Sequence, residues 1–224
     1  STLTILKGLT LNGTLRIGYP PTSASSVLFS TGSQTLAGTG EVKFVTNSAS
    51  NTLAPSNSGS LTIGTGITVH GWVGTIGAAA LGLVNQGTIW ADSSVSNLTV
   101  TGTSWCNTGV IQATVAGSRI GLAGTPTTPC LGTWHGVVGK VELVGTLDNT
   151  AANLVLDSST GPLWLASGRI NRGTISGSDI GKLNYGPGTL DSSTVAAGTV
   201  VKPTGSGSTL TILKGLTLNG TLRI

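Results

Sequence analysis

The chain has 224 residues, 38% of them apolar and only 8% charged, against roughly a quarter charged in an ordinary globular domain. Val, Ile, Leu and Thr alternate with small polar residues throughout, which excludes a disordered segment, and no apolar run approaches the roughly 18 residues of a membrane span. The formal charge of +4 arises from 11 basic and 7 acidic residues spread along the chain, so there is no basic cluster of the kind that binds nucleic acid.

Helical periodicity is absent, because Gly or a β-branched residue interrupts every window. Strand signals take its place. The first is Leu3, Ile5, Leu9, Leu11, Leu15 and Ile17, alternating largely with Thr, Gly and Asn; Leu61, Ile63, Ile67 and Val69 follow, then Leu98 and Val100, Ile120 and Leu122, Val141 and Leu143, and Leu154 and Leu156. Each run is short with a period of two, the pattern of a half-buried strand. Between them recurs a frame of apolar-x-Asn-x-Gly-x-Ile, centred on Asn85, Asn107 and Asn171, with a relative at Asn12 that returns at Asn219. The spacing from Asn85 to Asn107 is that of one solenoid coil, about 20 to 25 residues. Asn and Gly tolerate the left-handed angles of a corner, and Asn at one corner of successive coils can form an amide ladder. The expected fold is all-β, a parallel β-helix, right-handed by the usual crossover sense.

Residues 1–17, from Ser1 to Ile17, return unchanged from Ser208 to Ile224. The offset is 207 residues, 208 less 1, and such a self-match is the signature of a tandem array. Residues 1–207 therefore read as one solenoid period and residues 208–224 as the first coil of the next identical one, with Ser1, Ile17, Ser208 and Ile224 at the junctions. With no methionine, the chain reads as a piece of a longer array; a deliberately duplicated end is the alternative. Coils of about 20 to 25 residues give roughly nine or ten coils per period, or about 43 to 48 Å at ~4.8 Å per coil. Superposing the two copies is expected to need mainly a translation along the axis, with some rotation from coil twist. Cys106 and Cys130, separated by close to one coil, are disulfide candidates on neighbouring coils of an exported protein; two separate buried thiols are the alternative.

The segments LTIGTGITV at residues 61–69, GTIG at 74–77 and LVNQGTI at 83–89 resemble coils of the very large secreted tandem-repeat β-helix proteins of environmental bacteria. Planctomycete-type surface proteins are the nearest kind, with autotransporter and haemagglutinin passenger solenoids beside them. Residues 8–15 and 35–42 look similar to further coils. The resemblance implies export, a cell-surface or matrix location and a structural role, and it carries over no catalytic residue.

A polysaccharide-active β-helix enzyme needs clustered carboxylates, and Glu41, Asp92, Glu142, Asp148, Asp157, Asp179 and Asp191 are never closer than six positions, although coil stacking can still join a pair. Gly139-Lys140 and Gly181-Lys182 lack the glycine spacing and following Ser or Thr of a phosphate loop. His70 and His135 with two cysteines give no metal-ligand spacing, and no cofactor or metal is expected. Trp72, Trp90, Trp105, Trp134 and Trp164 offer a surface stripe that stacks on glycans or neighbouring filaments, core or corner packing being the more ordinary use. The expected function is a structural extracellular filament or surface-stalk segment that stacks on copies of itself. The alternative is an adhesin-like shaft that binds glycans or surfaces, with short candidate insertions at residues 18–26 and 125–129; an enzyme ranks third.

Overall fold

Apolar residues at every second position, broken by small residues at short intervals, produce strands of two to nine residues joined by tight corners. In the computed structural model, which describes residues 1–19, 23–136, 138–177 and 183–224, these strands wind into an all-β parallel solenoid of about ten turns, 53% strand and 2% helical. Pro20, Pro21, Asp179 and the Gly181-Lys182 pair fall outside the described residues.

The first face is an unbroken sheet of eleven strands stacked in chain order: Thr2–Ile5, Ser26–Ser30, Thr52–Ser56, Val73–Ile76, Asn97–Val100, Arg119–Leu122, Lys140–Leu143, Leu163–Leu165, Leu183–Tyr185, Val200–Pro203 and Thr221–Leu222. The second face begins with Leu9–Thr10 and rises through Gln34–Ala37, Ser60–Ile63 and Gly82–Asn85 to Trp105–Asn107. The third rises from Thr14–Ile17 through Glu41–Phe44, Thr68–Gly71, Thr88–Ala91 and Val110–Ala113 to Thr133–His135. A 3-10 turn, Thr128–Leu131, interrupts the second face, after which Thr146–Asp148 and Arg169–Asn171 continue it, and Asn153–Leu156 and Thr174–Gly177 continue the third. Higher up, Gly188–Val195 and Leu210–Leu218 each run around the corner and serve both faces.

Because the register is parallel, side chains at the same height of the pleat stack into columns. On the first face Leu53, Ile76, Val100, Leu122, Leu143, Leu165 and Tyr185 form one such column, all buried. Each aliphatic member contributes about 1.5–3 kcal/mol by leaving water, and a single coil has no second layer to bury it against, so stacking itself makes the core. Coil length varies, from the short turn between Leu183 and Val201 to the long one between Ser26 and Thr52.

The left-handed corner angle expected of the Asn-x-Gly frame is found at Gly173, with φ of 63°, but the other two members work by a different mechanism. None of Asn85, Gly87, Asn107 and Gly109 is among the residues with positive φ. Gly109 is required because the coil below passes so close: a Cβ there would lie 2.0 Å from the Gly87 carbonyl oxygen. The amide ladder is real but has two rungs. Asn85 Nδ2 donates to Asn107 Oδ1 at 2.7 Å, and Asn107 Nδ2 donates to the carbonyls of Leu131 and Thr133 at 2.9 Å each. It starts at Asn85 because the register places Ile63 below, leaving Asn85 Oδ1 without a partner among the described residues. Asn12, Asn171 and Asn219 are not rungs. Asn12 is exposed and accepts from the Thr39 amide at 3.2 Å, Asn171 lies in register with Asp148 and Asp191, and Asn219 is exposed.

Both copies of the 17-residue segment pack Leu9 or its equivalent Leu216, and Leu15 or its equivalent Leu222, against the core, but they occupy different faces. Thr2–Ile5 lies on the first face beneath Ser26–Phe29, whereas Leu210–Leu213 lies on the second, above Gly188–Asp191. Thr14–Ile17 lies on the third face and Thr221–Leu222 on the first. Superposing the copies therefore needs a rotation of one face as well as a translation, because the 207 residues from Ser1 to Ser208 do not make a whole number of coils.

Candidate functional site

The outward positions of the third face form a column of Arg16, Lys43, His70, Trp90, Gln112 and His135, each one coil above the last. Strand geometry puts these side chains on one exterior stripe, and burial closes around the middle of it. His70 is 7% exposed. Its Nδ1 lies 2.6 Å from Asp92 Oδ2 and its Nε2 lies 3.0 Å from Glu41 Oε2, while the Trp90 ring stacks over it at 6.3 Å between centroids. Trp90 is itself anchored, its Nε1 donating to Thr114 Oγ1 at 2.7 Å. Three successive coils thus supply carboxylate, imidazole, and indole with carboxylate.

Glu41 also accepts from the Thr14 hydroxyl at 2.8 Å. That bond first, and then the bond and charge of His70, hold its carboxyl below the ordinary glutamate value. Glu41 and Asp92 thus engage the two ring nitrogens of His70 from opposite sides. With both nitrogens engaged, the imidazole bridges the two carboxylates, and neither nitrogen faces an open position as a base or nucleophile. Beside it lies an open groove of about 440 Å³ lined by Asn12, Thr14, Thr39, Glu41, Thr68, His70 and Trp90. Carboxylate and hydroxyl acceptors next to an indole suit a hydroxyl-rich ligand with an apolar ring face.

The remaining tryptophans divide. Trp105 and Trp134 are 1% and 3% exposed and are not surface residues: Trp105 extends the inward column of Leu61 and Leu83, Trp134 that of Ile89 and Ile111, and Trp105 Nε1 donates to the Ala123 carbonyl at 2.7 Å. Trp72 is 44% exposed. Trp164, on the first face, receives Lys140 Nζ at 4.2 Å from its ring centroid, beside an Arg119–Glu142 pair at 3.5 Å. The five tryptophans therefore do not make one stripe.

Cys106 and Cys130 are bonded to each other, with Cα atoms 4.4 Å apart. The bond ties the strand Trp105–Asn107 to the 3-10 turn of the coil above. Ser1 and Ile17 lie in the lowest coil and Ser208 and Ile224 in the highest stretch, at the two ends of the stack. Among the described residues no group of three or more His, Cys, Asp or Glu is placed to hold a metal ion, and no helix is long and apolar enough to cross a membrane.

Sequence reasoning missed the Glu41–His70–Asp92 bridge, and also Asn51 and Asn149. Asn51 Oδ1 accepts from the Ser25 amide at 3.1 Å and its Nδ2 donates to Thr46 Oγ1 at 2.7 Å. Asn149 Oδ1 accepts from Thr128 Oγ1 at 2.7 Å and its Nδ2 donates to the Thr174 carbonyl at 2.8 Å. Compared with protein-family models, with curated proteins and with solved structures, the chain matches none.

Proposed function

We propose that this chain is a segment of a non-catalytic shaft, an extracellular filament or surface stalk in which identical 207-residue periods stack end to end. The observation that carries the reading is the pair of identical segments. The lower copy uses the upper edges of its strands, against residues 26–44, and the upper copy uses its lower edges, against residues 188–201. Together these are the two halves of the pairing that one interior coil makes in a continuous stack. Leu9, Leu11 and Leu15 below, and Leu210, Leu216 and Leu222 above, are only half covered. A further coil completes both the sheet edges and the core.

The resemblance to secreted tandem-repeat proteins, the low charge and the disulfide favour an exterior location. Electron microscopy of the protein from its source tests the reading: long uniform threads with a period of about 45 Å, from ~4.8 Å per coil, are expected, and isolated short rods would overturn it. The groove beside Trp90 favours a second reading, a shaft that also holds glycans. Titrating soluble oligosaccharides against tryptophan fluorescence tests it, and loss of the response in Trp90→Ala is expected.

A further inference from the structure

We infer that successive periods join with a rotation of one face, so that the shaft returns to the same orientation only after three periods. The inference rests on the tandem-array reading above and concerns the joint, a surface whose partner is a second copy of the same period. Residue 3 lies on the first face of the lowest coil. The next nine coils of that face carry residues 27, 53, 76, 98, 120, 141, 163, 183 and 201, and residue 210, the equivalent of residue 3, lies one face beyond residue 201. The period is therefore nine and one-third coils.

Two further pairs of equivalent positions agree. Leu9 is on the second face over which Leu36 stacks, and Leu216 is on the third above Ser193; Leu15 is on the third and Leu222 on the first, above Val201. In each pair the apolar residue points inward, so the one-face step keeps the core in phase and changes only which side of the prism each strand covers.

The corners accommodate the change. Residues 6–8 turn from the first face to the second with Gly8 at a φ of 69°, whereas the identical residues 213–215 turn from the second to the third with Lys214 at 56° and Gly215 at 98°. The same sequence thus fits two different corners.

A head-to-tail joint with a rotation of about 120° generates a three-fold screw. Three periods make 28 coils, about 134 Å at ~4.8 Å per coil. The Glu41–His70–Trp90 groove and the Lys140–Trp164 stack then face all three sides of the shaft in turn, and lateral neighbours or ligands can be engaged from every side.

The test is made within the present chain. In the one-face register Thr211 pairs with Thr189. Were the period nine whole coils, residues 210–212 would replace Val201–Pro203 above Leu183–Tyr185, and Thr211 would lie beside Asn184. The variants Thr189→Cys with Thr211→Cys and Asn184→Cys with Thr211→Cys are oxidised and mapped by peptide mass spectrometry, with the native Cys106–Cys130 bond as the internal measure of folding. Neighbouring strands bring Cα atoms into disulfide range, so about tenfold more of the 189–211 bond than of the 184–211 bond is expected. Equal or greater yield of the 184–211 bond, or no 189–211 bond where the native bond has formed, overturns the inference. A concatemer of three periods, imaged by helical reconstruction, supplies a second measure: a third of a turn per period is expected, and a rotation near zero overturns it. The cross-link reads the register inside one chain, so a source that yields no threads would refute the array while leaving the register standing.

Discussion

Replacing Asn107 by Ala removes the amide that joins three coils at one corner. The side chain is 1% exposed, and its loss leaves the carbonyls of Leu131 and Thr133 without their 2.9 Å donors. Asn85 loses its 2.7 Å acceptor but keeps contacts to the Gly87 and Val110 carbonyls at 3.3 Å. Two stranded carbonyls at about 1–1.5 kcal/mol each, with a small void, give a destabilisation of about 3 kcal/mol, or a Tm lower by about 6–12 °C for a chain of this size. Urea unfolding followed by tryptophan fluorescence reads it directly, since buried Trp105 lies in the same strand. Asn107→Asp keeps the shape but cannot donate, so it should cost at least as much as Ala. Asn12→Ala, which removes only exposed bonds from Thr39, should cost within about 1 kcal/mol. If Asn107→Asp is as stable as the parent, or if Asn107→Ala costs no more than Asn12→Ala, the amide is filling space and the reasoning fails.

Gly109→Ala should destabilise by about 2 kcal/mol through steric overpacking, because its Cβ meets the Gly87 carbonyl, whereas Gly13→Ala, with nothing within 4 Å of its Cβ, should be near neutral; paired thermal melts decide. Thr14→Val should raise the Glu41 carboxyl toward its ordinary value in an NMR titration, since the Thr14 hydroxyl is the main cause of its lowering. A lowered carboxyl stabilises the fold above its unfolded value and loses that contribution as pH falls through the folded one. The variant should therefore have a weaker acid-side dependence of stability, and an unchanged profile would refute the assignment. Cys106→Ser with Cys130→Ser opens a loop with a sequence separation of 24, which should lower stability by about 3.5 kcal/mol; equal urea midpoints for the two forms would count against it.

Much of the solenoid was legible because the inward columns obey period two: Leu61, Ile63, Val69, Leu98, Val100, Ile120 and Leu122 all lie in the core. The frame around Asn85 and Asn107 was legible because nothing is inserted between those strands, and Leu83, Val84 and Asn85 meet Trp105, Cys106 and Asn107 in unbroken register. The His70 bridge was not. It joins residues 29 and 22 positions away, and where one coil is as short as that from Leu183 to Val201 and another as long as that from Ser26 to Thr52, no fixed offset identifies vertical neighbours. The same variation hid the one-face step, since a third of a coil is smaller than the spread of coil lengths. Trp105 and Trp134 stood among the surface candidates beside the more ordinary core reading, because residue type does not say which side of a strand is inward; their columns do. Asn149 sits in the run Leu147-Asp148-Asn149-Thr150, without the glycine two residues on that flagged the other corners.

The Cys106–Cys130 bond has a mechanical meaning for a shaft under tension. A solenoid pulled at its ends unravels coil by coil, and a period of 207 residues releases about 720 Å at ~3.5 Å per residue. The bond lies well inside the period and bridges a sequence separation of 24, so about 80 Å of that length stays locked at the same reach per residue. In the shaft proposed above, every period would carry a stitch that both shortens its slack and halts an unravelling front at a covalent knot until a reductant opens it. A pulled thread should then lengthen in steps whose size grows when thiols are added, with the surrounding redox conditions setting how far it stretches.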